Sequence, residues 1–244
     1  SHDHLDDYAS LTEYFEAKAD LFDPDRAKRG VVIVDSEWGS RLVEGARIPV
    51  TTVGYATDDV DWRVEVTGRA VTSTDFTLSA RDGRSLTTRV PMVGDYSALN
   101  AALCIVMAVE AGHNFDLIAH TLASNGGFAV AIPGRTEIVS GDRGPIAYVD
   151  YGHTPDAFEH TLRAIRQVVP GKVIMVFGAD GDRDVSKRAD MGAVAARGAD
   201  VVVITDFHPR TEDPAVIRAA LLEGARSAGT RAEILEEADP QLAM

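Results

Sequence analysis

Apolar and polar positions alternate along this chain with periods that change from one stretch to the next. Between Ser10 and Phe22 the residues Leu11, Tyr14, Phe15, Ala17, Ala19 and Leu21 recur at helical spacing, and Ser10 is available as a cap, so a helix is expected. Val31 to Val34, just after Gly30, is a short all-apolar run of the kind a buried strand needs. From Thr51 to Met92 the period shortens to two. Trp62 to Val66, Phe76 to Ala80 and Leu86 to Val90 alternate, with Arg81-Asp82-Gly83-Arg84 as a turn between the last two, which predicts an antiparallel meander. Tyr96 to Val109 returns to good helix formers closed by Gly112, and Asp116 to Ala123 adds a further helix.

Beyond Pro133-Gly134 the rhythm changes again, and a domain boundary is placed there. The order becomes strand (Ile146 to Asp150), helix (Pro155 to Val168), strand (Lys172 to Phe177), helix (Lys187 to Gly198), strand (Asp200 to Thr205), helix (Pro214 to Ala228) and strand (Ala232 to Leu235). Apolar strands alternating with helices predict an α/β fold whose parallel sheet is covered on both faces. Right-handed crossovers then bring the functional strand ends to one edge.

Composition narrows the classes of ligand. The 244 residues are 45% apolar and 25% charged, enough for a sizeable core, and carry a formal net charge of −14. Such a surface repels nucleic acid and anionic membranes, so an anionic ligand must be gripped locally. No run of about 18 apolar residues is present, and Asp3, Asp6, Asp7 and Glu13 replace a basic, apolar leader, so a soluble cytoplasmic protein is expected. The lone Cys104 lies in an apolar stretch and is expected to be a buried, inert thiol. The opening lacks Met and enters a loop feeding the first helix, which reads as part of a longer protein.

Ligands of a parallel sheet sit beyond the carboxyl ends of its strands, so three loops stand out. Val149-Asp150-Tyr151-Gly152-His153-Thr154-Pro155-Asp156 places an acid and an imidazole before a Pro-started helix, although plain capping would explain part of it. Gly178 to Arg188 packs glycines and charges directly after a buried strand, where glycine mainly serves close backbone approach; its acids lack the spacing of a calcium loop. Thr205 to Pro214 carries His208 and Arg210, and Arg suits a two-point grip on a carboxylate. Glu212-Asp213-Pro214 reads as an acidic helix start. Nearer the front, His4, Lys18 and Asn100 are candidates, although Asn100 can equally be a side chain bonded to backbone.

Together these segments resemble the Mur ligase family, most closely its MurE class. The matching stretches are Ser1 to Asp6, Tyr14 to Lys18, Gly94 to Asn100, Gly134 to Glu137, Val149 to Asp156, Gly178 to Arg188 and His208 to Pro214, in order over nearly the whole chain. The resemblance implies part of a central ATPase domain over residues 1–133 and a Rossmann-like ligase domain over residues 134–244. It implies the cofactors ATP and Mg²⁺, and as substrates a UDP-N-acetylmuramoyl-dipeptide and a diamino acid, joined through an acyl phosphate. His4 would be a magnesium ligand, and Lys18, as a carbamate, would help hold the second metal with hard oxygen. Asn100 would meet adenine, Arg135 the nucleotide, Asp150 the ribose hydroxyls and His153 the nucleotide site. Arg183 and Arg210 would grip the carboxylates of the incoming amino acid, with His208 beside them.

Several departures accompany the match. The family's Gly-x-x-Gly-Lys-Thr/Ser phosphate loop, its nucleotide-sugar domain and its closing Gly-Lys-Gly-His-Glu stretch are not in these residues, so the chain by itself is expected to be inactive. Phe207-His208 stands where members choosing meso-diaminopimelate show Asp-Asn, which leaves meso-diaminopimelate, L-lysine and L-ornithine open. Ser97 replaces a common Asn. Alternatives are a cyanophycin or folylpolyglutamate synthetase of the same superfamily, and a nucleotide-binding module without catalysis.

Overall fold

A computed structural model describes residues 8, 10–55, 59–129, 132–141 and 143–244. The chain divides into two compact units, one spanning Thr12–Asp150 and one dominated by Tyr151–Met244.

In the first unit the expected leading helix appears as α1 (Leu11–Ala19) followed by a 3₁₀ turn at Asp20–Phe22. Five strands follow in one sheet: β1 (Gly30–Ile33), β2 (Val50–Gly54), β3 (Trp62–Ala70), β4 (Ser73–Ala80) and β5 (Ser85–Val90), in that spatial order. The predicted meander is β3-β4-β5, antiparallel throughout, while β1, β2 and β3 pair in parallel. Its period-two pattern buries Trp62, Val64, Phe76, Leu78, Leu86 and Val90 on one face. A helix the periodicity did not reveal, α2 (Glu37–Gly45), links β1 to β2, capped by Ser36, whose hydroxyl accepts from Gly39 N at 3.2 Å. It is short and contains a glycine, so it carries little helical signal.

Helix α3 (Asp95–Glu110) lies on the sheet through Ala98, Ala102, Ile105 and Val106, and α4 (Phe115–Ser124) is capped by Asn114. Cys104 corrects the expectation of burial. It is exposed, on the same outward side of α3 as Asn100 and Met107, because helical spacing puts the buried positions on the opposite side.

Residues Ile146 to Asp150 also depart from expectation. Only Tyr148 and Val149 form a strand, β7 (Tyr148–Val149), and it pairs antiparallel with β6 (Glu137–Ile138) instead of opening a parallel sheet. This ribbon packs with the first unit, where the Tyr148 hydroxyl donates to Val71 O at 2.7 Å. Ile146 is 45% and Val149 47% exposed, so the apolar run is not a core strand.

The second unit follows the predicted alternation: α5 (Pro155–Val168), β8 (Ile174–Phe177), α6 (Lys187–Gly198), β9 (Val201–Ile204), α7 (Pro214–Ser227), β10 (Glu233–Glu236) and the single turn α8 (Pro240–Ala243). The sheet order is β10-β9-β8, all parallel. Phe158, Leu162, Phe177, Met191, Val202, Ile204, Ile217 and Leu221 form its core. Helices α6 and α7 approach closely enough that a side-chain carbon at Gly224 would sit 1.8 Å from Ala189 O, and one at Gly192 2.0 Å from Leu221 O. Only glycine admits this contact. Coverage of the sheet is less complete than predicted. Ile174, Val176 and Leu235, which the register places on one face, stay substantially exposed.

Candidate functional site

The loops after β8 and β9 form a single seam. Gly181 N donates to His208 O at 2.9 Å, and a carbon on Gly181 would lie 1.8 Å from Pro209 O, so this glycine is what lets the two backbones touch. Asp182 donates its N–H to Glu212 Oε1 at 2.6 Å. Its carboxylate accepts from Thr211 N at 3.2 Å and from the Thr211 hydroxyl at 2.7 Å. Glu212 N closes a turn onto Pro209 O at 3.0 Å, around Arg210, whose φ of 53° lies in the left-handed region.

Beneath this seam Arg188 is only 3% exposed. Its two terminal nitrogens donate to the two Glu212 oxygens at 2.8 and 2.7 Å, and one also reaches Asp180 O at 3.2 Å. A charge so deeply buried needs such a partner. Arg188 and the Asp182 N–H hold Glu212 well below the ordinary carboxylate range, at about 2. Above the seam, Asp180 Oδ1 lies 3.6 Å from His208 Nδ1 and 3.9 Å from an Arg210 terminal nitrogen, and the Phe207 and His208 ring centroids are 4.1 Å apart. Arg183 is exposed on the first of the two loops. Sequence reasoning thus named Arg183, His208 and Arg210 but passed over Asp180, Asp182, Arg188 and Glu212. A signal existed: Arg188 precedes the buried Met191 and Ala195 by three and seven positions, so helical phase alone puts a cation in the core.

Before α5, Thr154 caps the helix by accepting from Ala157 N at 3.2 Å and Pro155 occupies its first turn, so the capping explanation holds for those two residues. His153 lies 3.1 Å from Tyr151 O through Nδ1 and meets the Tyr151 ring edge-on at 5.3 Å.

In the first unit the structure joins the Arg135 and Asp150 segments. Thr136, buried with a φ of 42°, donates its N–H to Asp150 Oδ2 at 2.9 Å, which fixes the exposed Arg135 next to it. Gly134 N donates to Glu137 at 2.7 Å in the same turn. Asn100 is exposed on α3. Ser97 is buried, and its hydroxyl bonds Val93 O at 3.1 Å, so it serves the helix backbone. Asp95, at the start of α3, is gripped by Arg69 at 2.7 Å, and Tyr55 donates to its carbonyl. Lys18 is exposed, its ammonium 4.7 Å from the Tyr14 ring centre.

His4 lies outside the described residues. Among the described residues no three His, Cys, Asp or Glu side chains cluster as a metal site, and Lys18 presents a cation. These residues do not by themselves fit magnesium. No helix among them is long and apolar enough to cross a membrane.

The profile described as Mur ligase middle domain matches residues 1–108, and that described as Mur ligase, glutamate ligase domain matches residues 134–243, a start seventeen residues before the packing unit that begins at Tyr151. The chain is 60% identical over all of its 244 residues to a UDP-N-acetylmuramyl-tripeptide synthetase of Leifsonia xyli subsp. xyli, covering 48% of that protein. It is 40% identical over 92% of its length to a UDP-N-acetylmuramoyl-L-alanyl-D-glutamate--2,6-diaminopimelate ligase of Streptomyces avermitilis, covering 44% of it. A solved structure of a ligase with that same description superposes over 100% of this chain and 49% of its own, with a TM-score of 0.58 at 29% identity. The chain spans about half the length of the curated relatives it matches. With both profiles falling in order over most of its residues, the chain belongs to the Mur ligase family.

Proposed function

We propose that the protein containing this chain is an ATP-dependent ligase of peptidoglycan precursor synthesis. It adds a diamino acid (meso-diaminopimelate, L-lysine or L-ornithine) to UDP-N-acetylmuramoyl-L-alanyl-D-glutamate. The observation that carries this reading is the seam after β8 and β9, which displays Arg210 and His208 at the carboxyl ends of parallel strands in a chain 60% identical to a tripeptide synthetase.

ATP transfers its γ-phosphoryl group to the terminal carboxylate of the nucleotide-linked peptide, giving ADP and an acyl phosphate. The amine of the incoming amino acid then attacks that carbonyl, the amide forms, and phosphate leaves with the bonding pair. Arg210, with Arg183, holds the carboxylates of the amino acid so that its amine is presented for attack, a task suited to a planar two-point donor. Asn100 receives adenine, Arg135 the nucleotide and Asp150 the ribose hydroxyls. Magnesium would supply charge neutralisation on the transferring group, and the residues that would hold it are His4, outside the described residues, and Lys18 only once carbamylation has turned its cation into an oxygen ligand.

The test is to give the full-length protein ATP, the nucleotide-linked dipeptide and each diamino acid in turn. Consumption of one of the three, with ADP and phosphate released in equal amounts, is the expected result. No amide product with any of them, or glutamate addition to a folate instead, refutes the assignment.

A further inference from the structure

We infer that Asp182, with the ion pair of buried Arg188 and partly exposed Glu212 behind it, is a positioning residue for Arg210, setting affinity for the incoming amino acid without touching it; this rests on the reading of Arg210 just given. A left-handed φ at a non-glycine residue is a costly backbone state that persists only where the surroundings over-determine it. At Arg210 they do. On its C-terminal side Thr211 is held by two hydrogen bonds from its N–H and hydroxyl to the Asp182 carboxylate, and Glu212 N closes the turn onto Pro209 O. On its N-terminal side His208 O is held by Gly181 N.

Apart from the Glu212–Pro209 turn bond, the clasping groups belong to the facing loop. Asp182 has the same φ of 53° as Arg210, so both loops store an unfavourable turn that each stabilises in the other. Glu212 joins the two: it accepts the Asp182 N–H and is anchored from below by both terminal nitrogens of Arg188. A carboxylate grip by Arg needs placement to a fraction of an ångström, so loosening the turn should weaken amino-acid binding before it affects anything else.

A purely structural seam would behave differently, lowering stability and all activity together. The distinguishing experiment measures KM for the accepted diamino acid, KM for ATP and thermal unfolding in the full-length ligase. Asp182→Ala is expected to raise the amino-acid KM by about tenfold or more while the ATP KM moves less than about twofold. Asp182→Asn retains a side-chain acceptor and tolerates the left-handed turn, so it is expected to stay within about threefold of the parent. Should Asp182→Ala fail to fold, Thr211→Val, which deletes one clasping hydroxyl at nearly constant shape, is expected to raise the amino-acid KM alone by about threefold.

Equal movement of both KM values, no movement, or absence of rescue by Asn overturns the inference. Arg210→Lys separates the two levels. If it fails to raise the amino-acid KM selectively, the reading of Arg210 falls and the positioning role with it. If it does so while Asp182→Ala does not, only the positioning role falls.

Discussion

In the second unit, Arg210 and His208 sit on a turn whose flanking residues are bonded to the facing loop, and that loop rests on an ion pair whose arginine is buried. In the first unit, Lys18, Asn100 and Arg135 stand exposed on a helix end, a helix face and the turn that precedes a two-stranded ribbon. The contrast separates two kinds of sensitivity. A substitution in the seam propagates through neighbours that share its hydrogen bonds, whereas one at Lys18 or Asn100 removes a functional group and leaves its surroundings intact.

The largest effect expected from that contrast lies on the exposed side. Lys18→Ala in the full-length ligase should reduce turnover by roughly a thousandfold, the scale of removing one group that stabilises transferring charge. Unfolding should be unchanged, because alanine suits an exposed helix position. Unimpaired turnover would take Lys18 out of the catalytic apparatus, and loss of folding would erase the contrast.

Next comes Gly181→Ala, which must push the two loops apart at Pro209 O. An overpacking cost of about 1–3 kcal/mol is expected in denaturant titration, with the amino-acid KM rising and the ATP KM steady. A stable variant with parental kinetics would show the seam to be dispensable.

A smaller effect is expected from pH. Glu212 has a folded-state value of about 2 against an ordinary 4.5, so the folded protein binds fewer protons there than the unfolded chain does. The stabilisation it contributes is therefore fully present above about pH 4.5 and is lost as pH falls toward 2. Unfolding midpoints of Glu212→Gln should lie below the parent near neutrality and converge on it across that acid window. Parallel curves would place the acid sensitivity elsewhere. Smallest of all, Cys104→Ser in the 244-residue chain should alter stability by less than about 0.5 kcal/mol, and the native thiol should label readily. A protected thiol would restore the buried reading.

Much of this architecture could be read from periodicity, because the meander and the helix–strand alternation each bury one face over several repeats. The same logic misplaced Cys104: an apolar neighbourhood in sequence is not an apolar face, and α3 buries only the side containing Ala98, Ala102 and Ile105. Ile146 to Asp150 has the composition of a core strand but finds its partners in β6 and the Val71 carbonyl, a tertiary choice that local pattern does not encode. The strand-tip loops and their arginines were visible as motifs. The clasp between them was hidden because Glu212 looks like an ordinary acidic helix start and Arg188 like one charge among many; their pairing spans 24 residues of sequence.

His208 contributes to the seam through its main-chain carbonyl, the acceptor of the Gly181 N–H. Any residue but one that distorts the backbone supplies the same oxygen. A ring or an amide at that position is thus interchangeable without unlacing the loops.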